Sequence, residues 1–462
     1  MSEAISPEIK ALLEAKDKQI AELERLVQML TVRVQELERR LGLNSQNSSK
    51  PPSGDGLKKP PKPPSLREKS GKASGGQRGH KGDTLKQVAQ PDEIVTHEIK
   101  TCPHCATDLT QQVVTDVRRR QVFDIPEPKI LVTEHQAQIK NCPCCAAKVI
   151  AAFPPEVMAP VQYGARVRGL SVYLHEQQLI PEDRLVVLFQ DVFDLSVSAA
   201  TLVNYSATFA QTITPLTGKI EQTLQSATVK NLDESGLRVA AKLHWMHVMS
   251  NDQWTHYRIS PKRGDLPQGL SGHVVHDHFK PYYTLAGVTH ALCGAHHLRE
   301  LKGIAEIEKE AWAKQMARLL KLACHCVNHK RMPATRVARI TRCYDTIVAQ
   351  GLTFHEQQPP LTSGRRGRKK RRPGHNLLIR LRDYKHDALR FLINSDVPFT
   401  NNQAEQDIRM IKVKQKISGG FRTLSGAEIF ASVRSFLSTM RKQRVNLFRA
   451  ILNPYAHCAW AV

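Results

Sequence analysis

Between residues 8 and 43 the apolar positions recur every seventh residue. Leu13, Ile20, Val27, Val34 and Leu41 fall on one heptad position and Ile9, Leu23, Leu30 and Leu37 on the other, with Lys16 as the break. β-branched residues at the first position and Leu at the second favour a parallel two-stranded coiled coil, with Glu, Lys and Arg on its flanks. The seam is narrower than a docking face needs, so the pattern predicts pairing of chains; a helix docked on the protein's own core is the alternative.

The pattern then stops. Residues 44–92 are Asn/Ser-rich, then Lys/Pro-rich and Gly/Lys/Arg-rich, and cannot bury enough apolar surface to order themselves. They read as a disordered basic linker in which Lys72, Arg78 and Lys81, among others, can each neutralise a phosphate. In 93–155 two knuckles, Cys102-Pro-His-Cys105 and Cys142-Pro-Cys-Cys145, are separated by β-prone sequence that includes Ile130-Leu-Val-Thr133. Two such knuckles supply four thiolates to one structural Zn²⁺ with no open position, so Cys102, Cys105, Cys142 and Cys145 are its expected ligands.

Residues 160–222 are predicted to be helical. Two short amphipathic helices, 183–193 and 199–209, flank a break at Asp194-Leu-Ser-Val-Ser198, and Ser198 suits the N-cap of the second. The proportions are those of a helix-turn-helix, yet the second helix lacks the Lys or Arg that reads guanine, and a plain packing pair is equally compatible.

The piece from 226 to 462 opens on β-prone sequence. Strands are predicted at 227–233, 243–249, 254–259 and 273–277, with Gly or Asn-Asp turns between the first three, so two strands end in aspartates, Asp233 and Asp277. A third carboxylate, Glu405, lies in the first turn of a helix that Thr400 or Asn401 can cap, with Arg409 one turn later on the same face. Carboxylates at strand ends can hold a divalent cation, although each taken singly is as well explained as a turn or capping residue. Asp407 points about 200° away from Glu405 on a helix, and Glu234 and Asp407 are set aside. A helical insertion, about 295–398, carries a basic run, Arg365, Arg366, Arg368, Lys369, Lys370, Arg371 and Arg372, that reads as a surface loop suited to phosphate contact.

Charge narrows the function. Of 462 residues, 67 are Lys or Arg and 43 Asp or Glu, a net charge of +24 that attracts polyanions, double-stranded DNA first among them. The longest uncharged run, 195–218, is polar and carries Pro215, so no membrane span is expected. The N-terminus lacks the pattern of a secretory signal; a reducing cytoplasm with thiols or metal ligands is the expected setting for the ten cysteines.

The chain resembles transposases of the insertion sequence 66 family along nearly its whole length. The resemblance rests on Asn47-Ser-Ser-Lys-Pro-Pro-Ser53, Gly75-Gly-Gln-Arg-Gly-His-Lys-Gly82, the paired knuckles, Asp233-Glu-Ser-Gly236, Cys293-Gly-Ala-His296 with Arg299-Glu300, and Asn401-Asn-Gln-Ala-Glu405 with Ile408-Arg409. It implies a multidomain protein: coiled coil, zinc ribbon, helical region, then an α/β ribonuclease-H-like catalytic domain with a helical insertion. It also implies DDE chemistry on Mg²⁺ (or Mn²⁺), with Asp233, Asp277 and Glu405 as catalytic ligands, and His296, Arg299 and Arg409 close by. Transposon ends and target DNA are the implied partners, with homo-oligomers through the N-terminal coil, small accessory proteins of the same element, and a cytoplasmic, nucleoid-associated setting. Two departures stand out: Asp277 lies in Val275-His-Asp-His-Phe-Lys-Pro-Tyr282 where relatives carry a Thr-Asp-Gly-Tyr type sequence, and Gly294 replaces a larger residue, which predicts a looser turn before His296. The competing readings are a dimeric zinc-ribbon DNA-binding protein without catalysis and a metal-dependent nuclease without strand transfer.

Overall fold

The computed structural model describes residues 7–48, 84–329, 332–358, 361, 371–458 and 460. Helix α1 (Pro7–Gly42) carries the heptads, and its seam stands in solvent: Leu23 and Leu30 are 60% and 64% exposed. The disorder expected from residue 44 does not begin there. Residues 43–48 form a turn in which Gln46 and Asn47 are buried, because the Asn side chains satisfy the backbone locally. Lys72, Arg78 and Lys81 lie outside the described residues.

From 84 to 164 no described residue is buried. The regular structure here is one hairpin, β1 (Ile139–Asn141) with β2 (Lys148–Ile150), around the second knuckle. The β-prone run at 130–133 is not a strand; Leu131 and Val132 are exposed and meet no partner strand.

Four helices follow: α2 (Ala165–Val172), which widens into a π-turn at Tyr173–Gln177, then α3 (Glu182–Phe193), α4 (Ala199–Thr212) and α5 (Thr214–Ser226). Asp194 adopts a left-handed conformation to end α3, and the Ser198 hydroxyl accepts from the Thr201 N–H at 3.1 Å to start α4. Leu185, Phe189, Val197 and Leu202 form the small core that joins α3 to α4.

A five-stranded mixed sheet comes next: β3 (Val229–Val239), β4 (Lys242–Ser250), β5 (Thr255–Ser260), β6 (Gly272–His276) and β7 (Val288–Leu292), in the order β5-β4-β3-β6-β7. The first three strands form an antiparallel meander, while β6 joins β3 and β7 joins β6 in parallel. Asp233 does not end its strand. It sits mid-way along β3 opposite Val248, and Gly236, expected in a turn, faces Trp245 inside the ladder. The turn is Ala240-Ala241, at φ 47° and 64°. Tight hairpins need such angles and usually place Asn or Gly there, so the sequence hid this turn; left-handed alanines cost about 1–2 kcal/mol each.

The insertion is helical: α6 (Gly294–Gly303) with a π-segment at Ile304–Glu308, then α7 (Ala311–Asn328), α8 (Ala334–Glu356), α9 (Pro373–Asp383), α10 (Lys385–Ala388) and α11 (Arg390–Ile393). Trp312, Met316, Tyr344 and Leu378 pack there in one core with Val275 and Ala291 of the sheet. The chain closes with α12 (Asn402–Asp407), α13 (Arg409–Ser418), α14 (Leu424–Lys442) and α15 (Leu447–Leu452). Helix α14 lies along the edge strand β5. Its Ser435 and Thr439 hydroxyls accept from the N–H groups of Tyr257 and Thr255 at 2.8 and 3.1 Å, and Thr439 donates back to the Thr255 carbonyl at 3.2 Å. At the other edge, Arg390 Nε donates to the His290 carbonyl of β7 at 3.3 Å. Among the described residues no helix is long and apolar enough to cross a membrane.

Candidate active site and zinc knuckles

The central strand β3 presents Asp233 at the heart of the sheet. Burial raises its carboxyl well above the ordinary range, and the neighbouring charges of Glu234, Asp277 and Glu405 raise it further. Glu234, next along the strand, is already engaged: Arg263 Nε donates to it at 2.8 Å, the Tyr282 hydroxyl also donates to it, and Arg263 stacks on Phe279 at 4.0 Å. Its carboxylate is therefore part of a buried polar chain.

Asp277 follows the last residue of β6, where its carboxylate accepts from the Phe279 N–H at 2.9 Å. Beside it opens a cavity of about 150 Å³ whose lining includes Asp277, His278, His296, His297, Glu300 and Arg380. Burial pushes the imidazole of His278 down to about 4 and that of His297 down to about 3, each helped by Arg380, so both stay neutral. Arg380 is itself paired with Glu300.

Glu405 stands in the first turn of α12, reached by Arg299 of α6 at 3.4 Å and by His296 Nδ1 at 3.8 Å. Cys293 Sγ, His296 and Glu405 place ligand atoms within 4.8 Å of one another, the one such group of three among the described residues. The Cys293 sulfur is buried and accepts from the Asn401 N–H at 3.1 Å, so it is engaged in holding the start of α12. Gly294 does not loosen this turn. A Cβ there would overlap the Phe399 ring, and Gly294 N–H donates to the Phe399 carbonyl at 2.8 Å, so glycine lets the segment before α12 press against α6.

Asn401 makes the decisive link. It occupies the N-cap position of α12, but its side chain does not cap the helix. Instead its Oδ1 accepts from Asn231 Nδ2 at 2.8 Å and its Nδ2 donates to the Leu232 carbonyl at 2.7 Å. The residues flanking Asp233 on β3 and the helix bearing Glu405 are thereby stapled together through a residue 1% exposed. Arg409 is exposed at the start of α13, and the cation that reaches Glu405 is Arg299 instead. Asp407 turns away and pairs with Lys442 of α14 at 2.7 Å.

The two knuckles share one local geometry. In each, the first Cys N–H donates to the carbonyl five residues on, and the N–H of a left-handed Ala four residues on, Ala106 or Ala146, returns to the first Cys carbonyl, all at 2.9 Å. Hydrogen bonds from Thr107 hold the Cys105 thiol below its ordinary value, and backbone N–H groups of Cys145 and Cys144 do the same for Cys142. Thiols on tight turns that favour the thiolate are a donor set that fits Zn²⁺. Each knuckle brings its own two cysteines together, whereas the four are not gathered within the 4.8 Å range found at Cys293.

Residues 160–429, more than half of the chain, match the family model for the transposase IS66 family. The chain belongs to that family. Residues 100–146, which take in all four knuckle cysteines, match the zinc-finger binding domain of transposase IS66, and residues 4–86 match a family of unknown function, DUF6444. A search of curated proteins returns no match. The IS66-family protein is a transposase, and its zinc finger marks it as a zinc- and DNA-binding protein.

Within this transposase, Arg371 is exposed and Arg372 half-buried just ahead of α9, while Arg365, Arg366, Arg368, Lys369 and Lys370 lie outside the described residues. Sequence reasoning missed the roles of Asn401 and Cys293. The tandem Asn401-Asn402 was a signal, but a capping assignment accounted for it before any long-range partner was in view. It also missed a buried network at the π-turn, where His175 lies 3.1 Å from Glu176 and 3.2 Å from both Glu182 and Ser206.

Proposed function

We propose that the chain is a DDE-type transposase in which Asp233, Asp277 and Glu405 hold divalent cations, Mg²⁺ or Mn²⁺, on a ribonuclease-H-like sheet. The observation that carries this reading is the placement of Asp233, half-buried in the middle of the central strand β3, which Asn401 ties to the helix that bears Glu405. A meander whose first strand becomes central, extended by two parallel strands, supports the ribonuclease-H-like assignment. When bound, the cations activate the attacking oxygen and stabilise the leaving oxygen of a phosphodiester. Arg299 holds Glu405, Asn401 fixes the spacing of β3 and α12, and neutral His296 sits beside the acids. Water attacks phosphorus at the element's end, the P–O3′ bond breaks, and a 3′ hydroxyl is freed. That hydroxyl then attacks a target phosphodiester, forming a new P–O bond and releasing the target's 3′ oxygen.

The rest of the assembly belongs to the same reading. Cys102, Cys105, Cys142 and Cys145 hold one structural Zn²⁺. The exposed α1 seam pairs two chains as a parallel coil, and the basic segments, Arg371 and Arg372 included, follow DNA phosphates. The domains run 8–43, 44–92, 93–155, 160–222 and 226–462, the protein works in the cytoplasm at the nucleoid, and small accessory proteins of the element take part.

Purified Asp233→Asn, Asp277→Asn and Glu405→Gln, assayed in Mg²⁺, are expected to lose both end nicking and joining of a pre-cleaved end while DNA binding persists. Glu428→Gln, at an exposed position of α14, is the charge-matched control. An active Asp277→Asn displaces the second acid, three active variants overturn the assignment, and wild-type nicking without joining makes the protein a nuclease.

A further inference from the structure

We infer that the turn at 43–48 is an intramolecular plug, seated on α6, by which the N-terminal helix holds the arm that carries His296, Arg299 and Glu300. Its catalytic consequence rests on the active-site reading above; the contact itself does not.

Polar residues are costly to bury without partners, and after Leu43 every residue of this turn is polar. It is nevertheless buried: Gln46 is 8% and Asn47 5% exposed, directly after a helix that lies almost wholly in solvent. The turn arrives preassembled. Asn47 Oδ1 accepts from the Asn44 N–H at 2.7 Å, Asn44 Oδ1 accepts from the Gln46 N–H at 2.8 Å, and Asn47 Nδ2 donates to the Gly42 carbonyl at 2.9 Å. Such self-closure lowers the ordering cost of docking.

The seat is specific. Gly303, at the end of α6, is buried, and any Cβ there would overlap the Asn47 carbonyl oxygen. Lys302 Nζ donates to Gln46 Oε1 at 3.3 Å, and a Cβ on Gly42 would rest 3.4 Å from Ile307 Cδ1. Gly303 is about one helical turn from Arg299, which reaches Glu405, and from Glu300, which pairs with Arg380. A shift of the plug is therefore transmitted along a rigid helix to the acids. This gives a task to part of the 4–86 segment and to Asn47, the first residue of the Asn-Ser-Ser-Lys motif.

The test uses the full-length, zinc-loaded protein. Gly42→Cys with Ile307→Cys, under mild oxidation, is expected to give a disulfide within one chain, read by non-reducing gel and peptide mapping against each single variant, because a Cβ on Gly42 would touch the Ile307 side chain at 3.4 and 3.7 Å. A crosslink between chains, or none, overturns the plug in cis. Gly303→Ala then tests the coupling. Alanine favours a helix over glycine, so a loss cannot be laid to helix propensity. The expected result is a poor crosslink and a fall in nicking on the order of tenfold to a hundredfold, with DNA binding retained. Unchanged nicking despite a lost crosslink overturns the coupling. Activity that survives the acid substitutions would instead remove the active-site reading and leave the crosslink result standing.

Discussion

The knuckle-bearing stretch and the five-stranded sheet are held by different means. From 84 to 164 no described residue is buried, and the order consists of two repeated turns and a three-residue hairpin. Around the sheet, several apolar clusters close on Val274, Val275, Leu237 and Met246, and buried polar residues are bonded into them. Apolar burial drives folding in proportion to area, so the first region lacks the driving force that the second has in abundance. The lesson is that the first region depends on the zinc proposed for its knuckles where the second depends on apolar burial, so the two should fail under different insults.

Zinc removal is the harshest way to probe that difference. Structural zinc contributes on the order of 10–16 kcal/mol in finger peptides, so chelation or Cys105→Ser is expected to abolish amide protection across 84–155 and to lower zinc from about one per chain. The melting of the sheet unit should stay put. Protection that survives chelation, by hydrogen exchange, breaks the comparison.

Next in size is a change inside the core. Asn401→Leu leaves the Leu232 carbonyl and the Asn231 amide buried without their partner, a cost of roughly 1–3 kcal/mol for each unsatisfied group. A lower melting temperature, together with a raised Mg²⁺ requirement for nicking, is expected. A normal metal requirement would reduce Asn401 to a packing residue.

Acid sharpens the contrast further. The fully buried His297 titrates near 3 when folded and near 6.5 when unfolded, so the unfolded chain binds the extra proton between those values. Stability is thus unaffected above pH 6.5 and falls below it, by at most about 1.4 kcal/mol per unit. His297→Gln should flatten the drop in melting temperature between pH 7 and 5; an unchanged slope rules this imidazole out as a source.

The smallest effect concerns Ala241, at φ 64° in the sheet's hairpin. Ala241→Gly relieves the left-handed penalty, less the entropy that glycine adds to the unfolded chain, for a net gain of about 0.5–1 kcal/mol. Calorimetry that shows a loss would mean that the methyl group contributes packing there.

Legibility in the sequence followed the same divide. β-prone runs bounded by turn residues announced β3 to β6, and the heptads announced α1. The middle position of Asp233 stayed hidden since Ala240-Ala241 carries no turn signature, while the β-prone run at 130–133 misled because propensity without a partner strand builds no ladder. At the candidate site the three acids could be listed from sequence, but the Asn401 link to Asn231 and Leu232 spans about 170 residues and exists only once the sheet has formed.

The hydroxyls of α14 along β5, and Arg390 against β7, bear on behaviour in a crowd. A protein with net charge +24 gathers at high local density along a polyanion, where bare strand edges would recruit one another into aggregates. With Ser435 and Thr439 occupying the backbone groups of one border and a guanidinium at the other, neighbouring molecules find little backbone to zip onto. The five-stranded sheet is thus guarded against edge-to-edge pairing with crowded copies.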